Sequence, residues 1–116
     1  MTLGDIESKV RTLVNDTQEP YRFDAKVVRG FIIDAVRHLR NINPSERYGA
    51  DGRLDETLPD LNGEQVEQEA VRILPRHEEA VIKYAAHLIY QLDMTDTVNL
   101  QISETLRTRA EALMQL

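Results

Sequence analysis

The most constraining feature of this sequence is a segment in its second half that is apolar on nearly every side. From Val81 to Leu92, a helix would be interrupted only by a polar strip about 80° wide, formed by Lys83, His87 and Gln91. Such a helix must lie at the centre of a domain or be shared with a neighbouring subunit, because water does not favour so much apolar surface. The sequence therefore predicts a domain built around this helix, which begins near Pro75.

Three other segments show the three- and four-residue spacing of apolar side chains that is typical of amphipathic helices. They cover about residues 3–15, 24–42 and 96–115, and Asp24 is a favourable N-cap for the second. With the apolar helix at 75–92, the 116 residues are expected to form one all-α domain of four helices. The four helices are expected to form two pairs, with a long insertion between helices 2 and 3.

The insertion, residues 44–74, is poor in apolar side chains and rich in Pro and Gly. The pair Asn62-Gly63 favours a type I′ turn, which predicts a short β-hairpin. Pro59 lacks the N–H that a strand ladder needs, so the first arm would be an edge strand or irregular. A long loop is the alternative to the hairpin. We call residues 44–74 the inter-helix segment.

Charge is concentrated in this part of the chain. The net charge is −6, and residues 43–76 alone contain 8 acidic and 4 basic side chains. A general duplex-DNA binder is disfavoured, because such proteins neutralise phosphates with Lys and Arg. The chain has no Cys, which fits a reducing compartment. We expect no membrane span and no signal peptide, since no apolar run approaches about 18 residues.

Catalytic and metal-binding patterns were sought among the histidines and carboxylates. His38, His77 and His87 form no metal motif, and we expect them to be hydrogen-bonded or solvated. Two carboxylate pairs have the three-residue spacing with which some all-α nucleotide pyrophosphohydrolases hold Mg²⁺: Glu64 with Glu67, and Asp93 with Asp96. Both pairs lie at turns rather than within helices, which favours solvated or capping carboxylates. We therefore expect no enzyme and no cofactor, with a magnesium-dependent hydrolase as an alternative.

Several side chains indicate a surface that is completed by another molecule. Arg29, Arg37 and Arg40 lie on the polar side of the second helix, where a solvated face is favoured over a phosphate or acidic partner. Some apolar residues fall outside the predicted apolar stripes, and others extend a stripe towards the last residues of the sequence. We consider both kinds candidates for an interface. They are Ile33, Tyr90, Leu100, Leu113, Met114 and Leu116.

Two groups of short motifs carry a resemblance to a known family. The first lies in the N-terminal half: Thr2-Leu3-Gly4-Asp5, Val10-Arg11-Thr12-Leu13-Val14-Asn15-Asp16 and Tyr21-Arg22-Phe23-Asp24. The second is the Pro-led run Leu74-Pro75-Arg76-His77-Glu78-Glu79-Ala80-Val81-Ile82-Lys83-Tyr84-Ala85-Ala86. With these motifs the chain resembles the head-tail adaptor proteins (connector or head-completion proteins) of tailed phages. The resemblance covers both helical pairs and leaves residues 44–70 unmatched.

The resemblance implies a structural virion protein. Adaptors form a homo-oligomeric ring, commonly of about twelve copies, beneath the portal protein. The ring extends the DNA channel and offers a platform to tail or tail-completion proteins. The expected location is the neck of the virion, after assembly in the host cytoplasm, with genome DNA passing through without specific binding. A small cytosolic helical regulator that binds one partner through the same apolar surface is a further alternative.

The acidity of the inter-helix segment has a physical use in such a channel. A negative wall repels the phosphates of the DNA that must slide past it. The candidate lining residues are Asp51, Asp55, Glu56, Asp60, Glu64 and Glu67.

Overall fold

A computed structural model of the chain describes residues 1–92 and 97–116, and confirms the predicted all-α fold of four helices. The helices are α1 (Leu3–Leu13), α2 (Ala25–Ile42), α3 (Glu78–Tyr90) and α4 (Thr97–Met114). Short 3₁₀ turns occupy Pro44–Arg47, Val66–Gln68 and Pro75–His77. None of the helices in the described ranges is both long and apolar enough to cross a bilayer.

Helix α3 is the centre of the domain, because it contacts α1, α2 and α4. Its buried side chains point to several sides of the helix, as the nearly continuous apolar sequence requires. They are Ala80, Val81, Ala85, Ala86, His87 and Ile89. The first alternative for this helix, a central position within the domain, is therefore confirmed. Its polar strip does not face water throughout, since His87 is buried.

The N-terminal end of α1 is fixed both locally and by a distant part of the chain. Thr2 and Asp5 form a capping box, in which each side chain accepts from the backbone N–H of the other. The backbone of Thr2 also pairs with Ala70 in an isolated antiparallel bridge, which we call the Thr2–Ala70 bridge. The flanking bonds join Leu3 N to Glu69 O at 2.9 Å and Val71 N to Met1 O at 3.1 Å.

Helix α2 buries a face that differs from the predicted apolar stripe. At about 100° per residue, the buried arc is rotated by about 90° from the stripe that the apolar spacing predicted. Val27 is therefore exposed, whereas Ile33 is only 5% exposed. The interface candidate Ile33 is covered within the domain, because α2 packs against α1, α3 and α4 and buries a wide arc. The buried residues are Val28, Ile32, Ile33, Ala35, Val36, Leu39 and Arg40.

Helix α4 shows a similar rotation, by about 60°. Its buried residues are Ser103, Leu106, Ala110 and Met114. Met114, another interface candidate, is fully buried within the domain. The physical reason is that α4 places its polar Ser103 against α3, as described below, and this contact selects the face of the helix that carries Met114.

The inter-helix segment is a long loop in which the described residues form no strand. The predicted hairpin at Asn62-Gly63 is wrong, because Asp60 Oδ1 accepts the N–H of Asn62 at 2.9 Å and sets a different local turn. The glycine with positive φ is Gly52, at 78°. It allows the chain to reverse between Tyr48 and Leu54, which pair in a single antiparallel bridge.

Candidate interface and the polar networks behind it

Helix α4 and the two residues after it carry a row of apolar side chains that the domain leaves at least partly exposed. Val98 and Leu116 are 60% and 66% exposed, Ile102 is 36% exposed, and Leu113 is partly buried against the core. Val98, Ile102 and Leu113 fall within about 60° of one another around the helix, and Leu116 follows two residues after its end. We call these four residues the α4 stripe. Two of them, Leu113 and Leu116, are among the interface candidates named from the sequence.

The other candidates lie elsewhere. Leu100 is 38% exposed but lies on a different side of α4 from the stripe. Tyr90 is partly buried and lines a largely apolar cleft of about 330 Å³ between the end of α1 and the α3–α4 corner. Its other lining residues are Val14, Arg22, Phe23, Ile89, Leu92 and Asn99. The six candidates thus form no single surface, since Ile33 and Met114 are buried.

The acidic side chains of the inter-helix segment are mostly exposed, and four of the six predicted wall residues pair with arginines. Asp55 lies 3.1 Å from Arg72 Nε, which belongs to the same segment. Two further pairs each join Nη to Oε1 at 3.2 Å: Glu56 with Arg47, and Glu67 with Arg29. Asp51 is within 4.0 Å of the highly exposed Arg53.

Asp60 and Glu64 are exposed and form no ion pair among the described residues. The acidity therefore acts in two ways. Part of it is paired with arginines, mostly within the segment itself, and the remainder faces water. Asp55 illustrates the first way, since hydrogen bonds from Thr57 and the charge of Arg72 lower its pKa.

Arg72 holds the loop in place, because its guanidinium group donates hydrogen bonds to three backbone carbonyls of the loop. Its Nη1 donates to Tyr48 O at 3.1 Å, and its Nη2 donates to Glu46 O at 2.8 Å and also to Asp55 O. A guanidinium group suits this role, because it has five N–H donors in a rigid plane. The loop backbone lacks a helix or sheet ladder, and Arg72 satisfies several of its acceptors at once.

Arg40 reaches the same loop from α2. Its Nη2 donates to Thr57 O at 2.9 Å, and burial lowers the pKa of its guanidinium group. Arg40 is 5% exposed, so the expectation of a solvated arginine face is wrong for this residue. Arg37 alone of the three is well exposed, and it pairs with Asp34 at 3.6 Å.

Arg29 belongs to a second buried network, between α1 and α2. Glu7 accepts from Arg29 Nε at 2.5 Å and from Arg11 Nε at 3.2 Å. Arg11 Nη1 also donates to Asp16 at 2.8 Å, and Arg11 lies over the ring of Tyr21. Asp16 in turn accepts the backbone N–H groups of Arg22 and Phe23. The network fixes the turn that leads into α2, and it leaves Arg29 without the free charge that a phosphate site needs.

All three histidines take part in contacts within the domain. His87 is buried, and its Nδ1 lies 2.7 Å from Ser103 Oγ, which donates to His87 O at 3.0 Å. Burial lowers the pKa of His87, so its neutral form is favoured. Tyr84 lies edge-on to His87 and stacks on His38, whose Nε2 is 3.3 Å from Glu111 Oε1. This chain of side chains joins α2, α3 and α4.

His77 is fully buried beside an equally buried carboxylate. Its Nδ1 lies 2.8 Å from Glu46 Oε1, and its Nε2 lies 3.4 Å from Asn43 Nδ2. Asn43 Nδ2 also donates to Met114 O at 3.0 Å, at the C-terminal end of α4. We call these groups the His77 cluster. Sequence patterns could not predict it, because its members come from separate parts of the chain.

Only one of the carboxylate pairs considered for magnesium, Glu64 with Glu67, lies within the described residues. Glu67 is engaged by Arg29, whereas Glu64 is exposed to solvent. Asp93 and Asp96 lie outside the described residues. Within the ranges 1–92 and 97–116, no group of three or more His, Cys, Asp or Glu side chains has the arrangement of a metal site.

The α4 stripe is therefore the most prominent candidate for a functional surface in the described part of the chain. Comparison with protein-family models, with curated proteins and with solved structures gave no match to this chain.

Proposed function

We propose that this chain is a non-enzymatic assembly protein, the head-to-tail adaptor of a tailed phage. In this role its copies form a ring that docks under the portal protein, extends the DNA channel and offers a platform to tail proteins. The observation that carries the proposal is the α4 stripe. An apolar row on the outside of a folded domain is typical of a surface that another protein covers.

The sequence motifs support the same role, because they form helix caps and turns of the domain. Thr2 and Asp5 cap α1, Asp24 caps α2, and Pro75 opens the turn that leads into α3. Three of the four motifs that resemble the adaptor family thus contain the start of a helix or lead into it, and the fourth, Val10 to Asp16, covers the end of α1. The resemblance therefore concerns the scaffold of the domain, which is the part that related assembly proteins are expected to share.

A ring needs two different contact surfaces on each copy, since its interface is head-to-tail. The α4 stripe offers a raised apolar surface, and the Tyr90 cleft offers a concave apolar one. The exposed carboxylates of Asp60 and Glu64 fit a wall that DNA passes without binding. The paired carboxylates contribute less to such a field, because arginines lie beside them.

The test is assembly with the portal protein encoded in the same genome, measured by light scattering after size-exclusion chromatography and by negative-stain imaging. We expect rings on the portal with the wild-type chain. The variants Ile102→Asp and Leu116→Asp should lose them, because each places a charge in the α4 stripe. Gln101→Asp is the matched control, since it adds the same charge to an exposed polar position of α4.

Rings that persist in both stripe variants would show that the stripe is not the interface. A wild-type chain that stays monomeric and has no affinity for the portal would contradict the adaptor itself. Tight binding of that monomer to one host protein would instead support the cytosolic regulator. Magnesium-dependent nucleotide turnover that is lost in Glu67→Gln would support the hydrolase.

A further inference from the structure

A short turn of the inter-helix segment exposes two large apolar side chains. Tyr48 is 51% exposed and Leu54 is 63% exposed, which is comparable with the exposure of the α4 stripe. The two residues lie directly opposite each other in an antiparallel bridge, so their side chains lie on the same side of the turn. We call residues 48–54 the Tyr48–Leu54 turn. It presents a second apolar surface that the domain does not cover.

The shape of this turn is fixed by hydrogen bonds at its base and near its tip. At the base, Arg72 donates to the backbone carbonyls of Tyr48 and Asp55. Near the tip, the N–H of Gly49 donates to Arg53 O at 2.8 Å. A surface that is ordered before it meets its partner loses little conformational freedom on binding. The turn is therefore well suited to a contact with another protein.

The α4 stripe surrounds one positive charge. Arg109 falls within the arc of the stripe, about 10 Å along the helix from Ile102 and about 6 Å from Leu113. Its side chain is exposed and forms no ion pair within residues 1–92 and 97–116. A partner that covers the stripe must supply a carboxylate, because burying an unpaired charge is costly. The surface that fits the stripe is therefore apolar and carries a negative charge.

The Tyr48–Leu54 turn meets this requirement, whereas the Tyr90 cleft does not. Asp51 lies near the tip of the turn with its side chain 65% exposed, and the Arg53 beside it, 4.0 Å away, is so exposed that water screens its charge. The cleft is instead lined by Arg22, which would repel Arg109. A second copy of this chain therefore offers a matching surface for the stripe.

We propose that the Tyr48–Leu54 turn of one copy packs on the α4 stripe of the next copy, with Asp51 beside Arg109. This inference rests on the proposed function, because it names the contact between neighbours in the ring. The turn and the stripe are different surfaces, so the contact is head-to-tail and can close a ring. One turn on one helix face is a small contact, so an isolated pair of copies should be weakly bound.

The test is disulfide cross-linking between copies, for which the chain is suited because it contains no Cys. Leu54→Cys and Ile102→Cys are prepared as separate proteins, mixed under mild oxidation with and without the portal protein, and analysed by non-reducing electrophoresis. The mixture should give at least about tenfold more cross-linked dimer than either protein alone, because a head-to-tail contact joins two different positions. Arg107→Cys, on the opposite side of α4, is the control and should not link to Leu54→Cys.

A charge exchange tests the pairing of Asp51 with Arg109. Adding Arg109→Asp to the Ile102→Cys protein should lower cross-linking by at least about fivefold, because two carboxylates then meet. Adding Asp51→Lys to the Leu54→Cys protein should restore it. Asp51→Asn keeps the side-chain oxygen that accepts the backbone N–H of Arg53, so it should weaken cross-linking through the lost charge with the turn intact.

The proposal is overturned if Leu54→Cys and Ile102→Cys do not link, if Arg107→Cys links equally well, or if the charge exchange has no effect. Linking of Ile102→Cys to Tyr90→Cys would assign the stripe to the cleft and overturn it equally. Rings on the portal without the expected cross-link would refute this contact and leave the adaptor role intact. Cross-linking without rings would support the contact and contradict the adaptor.

Discussion

The inter-helix segment and α4 are held to the same domain in opposite ways. The segment contains only short 3₁₀ turns, yet Arg72 and Arg40 bind its backbone carbonyls at several points. Helix α4 is regular over 18 residues, yet it buries only four of its described side chains and exposes an apolar row. Regular backbone structure and firm attachment are therefore separate properties in this molecule.

The difference follows from where each backbone finds its hydrogen-bond partners. A helix satisfies its own N–H and C=O groups, so α4 needs nothing from the domain except packing. A loop has no such ladder, and unpaired buried carbonyls are costly. The arginines supply the missing donors, which makes the loop depend on a few specific side chains. Four substitutions test this contrast.

Arg72→Met should have the largest effect. Three backbone carbonyls lose their shared donor, and Asp55 loses its partner, so we expect the free energy of unfolding to fall by about 3 kcal/mol. The measurement is urea denaturation followed by circular dichroism. Arg53→Met is the control, because this side chain is 88% exposed and should change the stability by less than about 0.5 kcal/mol. Equal effects of the two variants would refute the fastening role of Arg72.

Met114→Ala tests the packing of α4. The side chain is fully buried, and its truncation near a helix end should cost about 2 kcal/mol. Leu116→Ala removes a side chain that is 66% exposed and should cost less than about 0.5 kcal/mol. The same denaturation assay measures both. If Leu116→Ala were the more costly change, the α4 stripe would be part of the domain core.

Gly52→Ala tests the turn within the inter-helix segment. Gly52 has a φ of 78°, where a Cβ is strained, so we expect a loss of about 1 kcal/mol. Gly30→Ala is the counterpart in α2, where an added Cβ meets no atom within 4 Å. This change should raise the stability by up to about 1 kcal/mol, since Ala favours helices. Opposite signs in thermal denaturation are the expected result.

The smallest effect concerns pH and the contact between α3 and α4. Burial lowers the pKa of His87 in the folded chain, whereas the unfolded chain keeps a value near 6.5. The contribution of the neutral His87 ring to the free energy of unfolding is therefore fully present above pH 6.5. It declines as the pH falls below 6.5, because the unfolded state binds the proton first. His87→Gln should therefore show a weaker loss of stability between pH 7.5 and pH 5.5 than the wild type. An unchanged slope would mean that His87 does not contribute to it.

The sequence predicted features that depend on near neighbours. The central position of α3 followed from its apolar surroundings, and the N-cap of α2 followed from Asp24. The faces of α2 and α4 were misjudged because apolar spacing treats every polar residue as exposed. Arg40 and Ser103 are buried against partners that lie 16 or more residues away in the chain. Spacing patterns carry no information about such pairs.

The inter-helix segment shows the same limit. Asn62-Gly63 has the composition of a hairpin turn, but one carboxylate, that of Asp60, changes the local hydrogen bonds. The acidity of the segment was visible in the sequence, whereas its pairing with Arg29, Arg47 and Arg72 was not. Of the four residues of the α4 stripe, the sequence singled out Leu113 and Leu116 as interface candidates, whereas Val98 and Ile102 follow the regular apolar spacing and were not distinguished by it.

The Thr2–Ala70 bridge has a consequence for the order in which the chain acquires its structure during synthesis. Helix α1 is made first, but the backbone that pairs with its N-terminus follows about seventy residues later, several seconds on a slow ribosome. Until then the apolar side of α1 has neither the bridge nor α3 to cover it. Closing so long a loop is entropically slow, so this helical protein should fold more slowly than its helix content alone indicates.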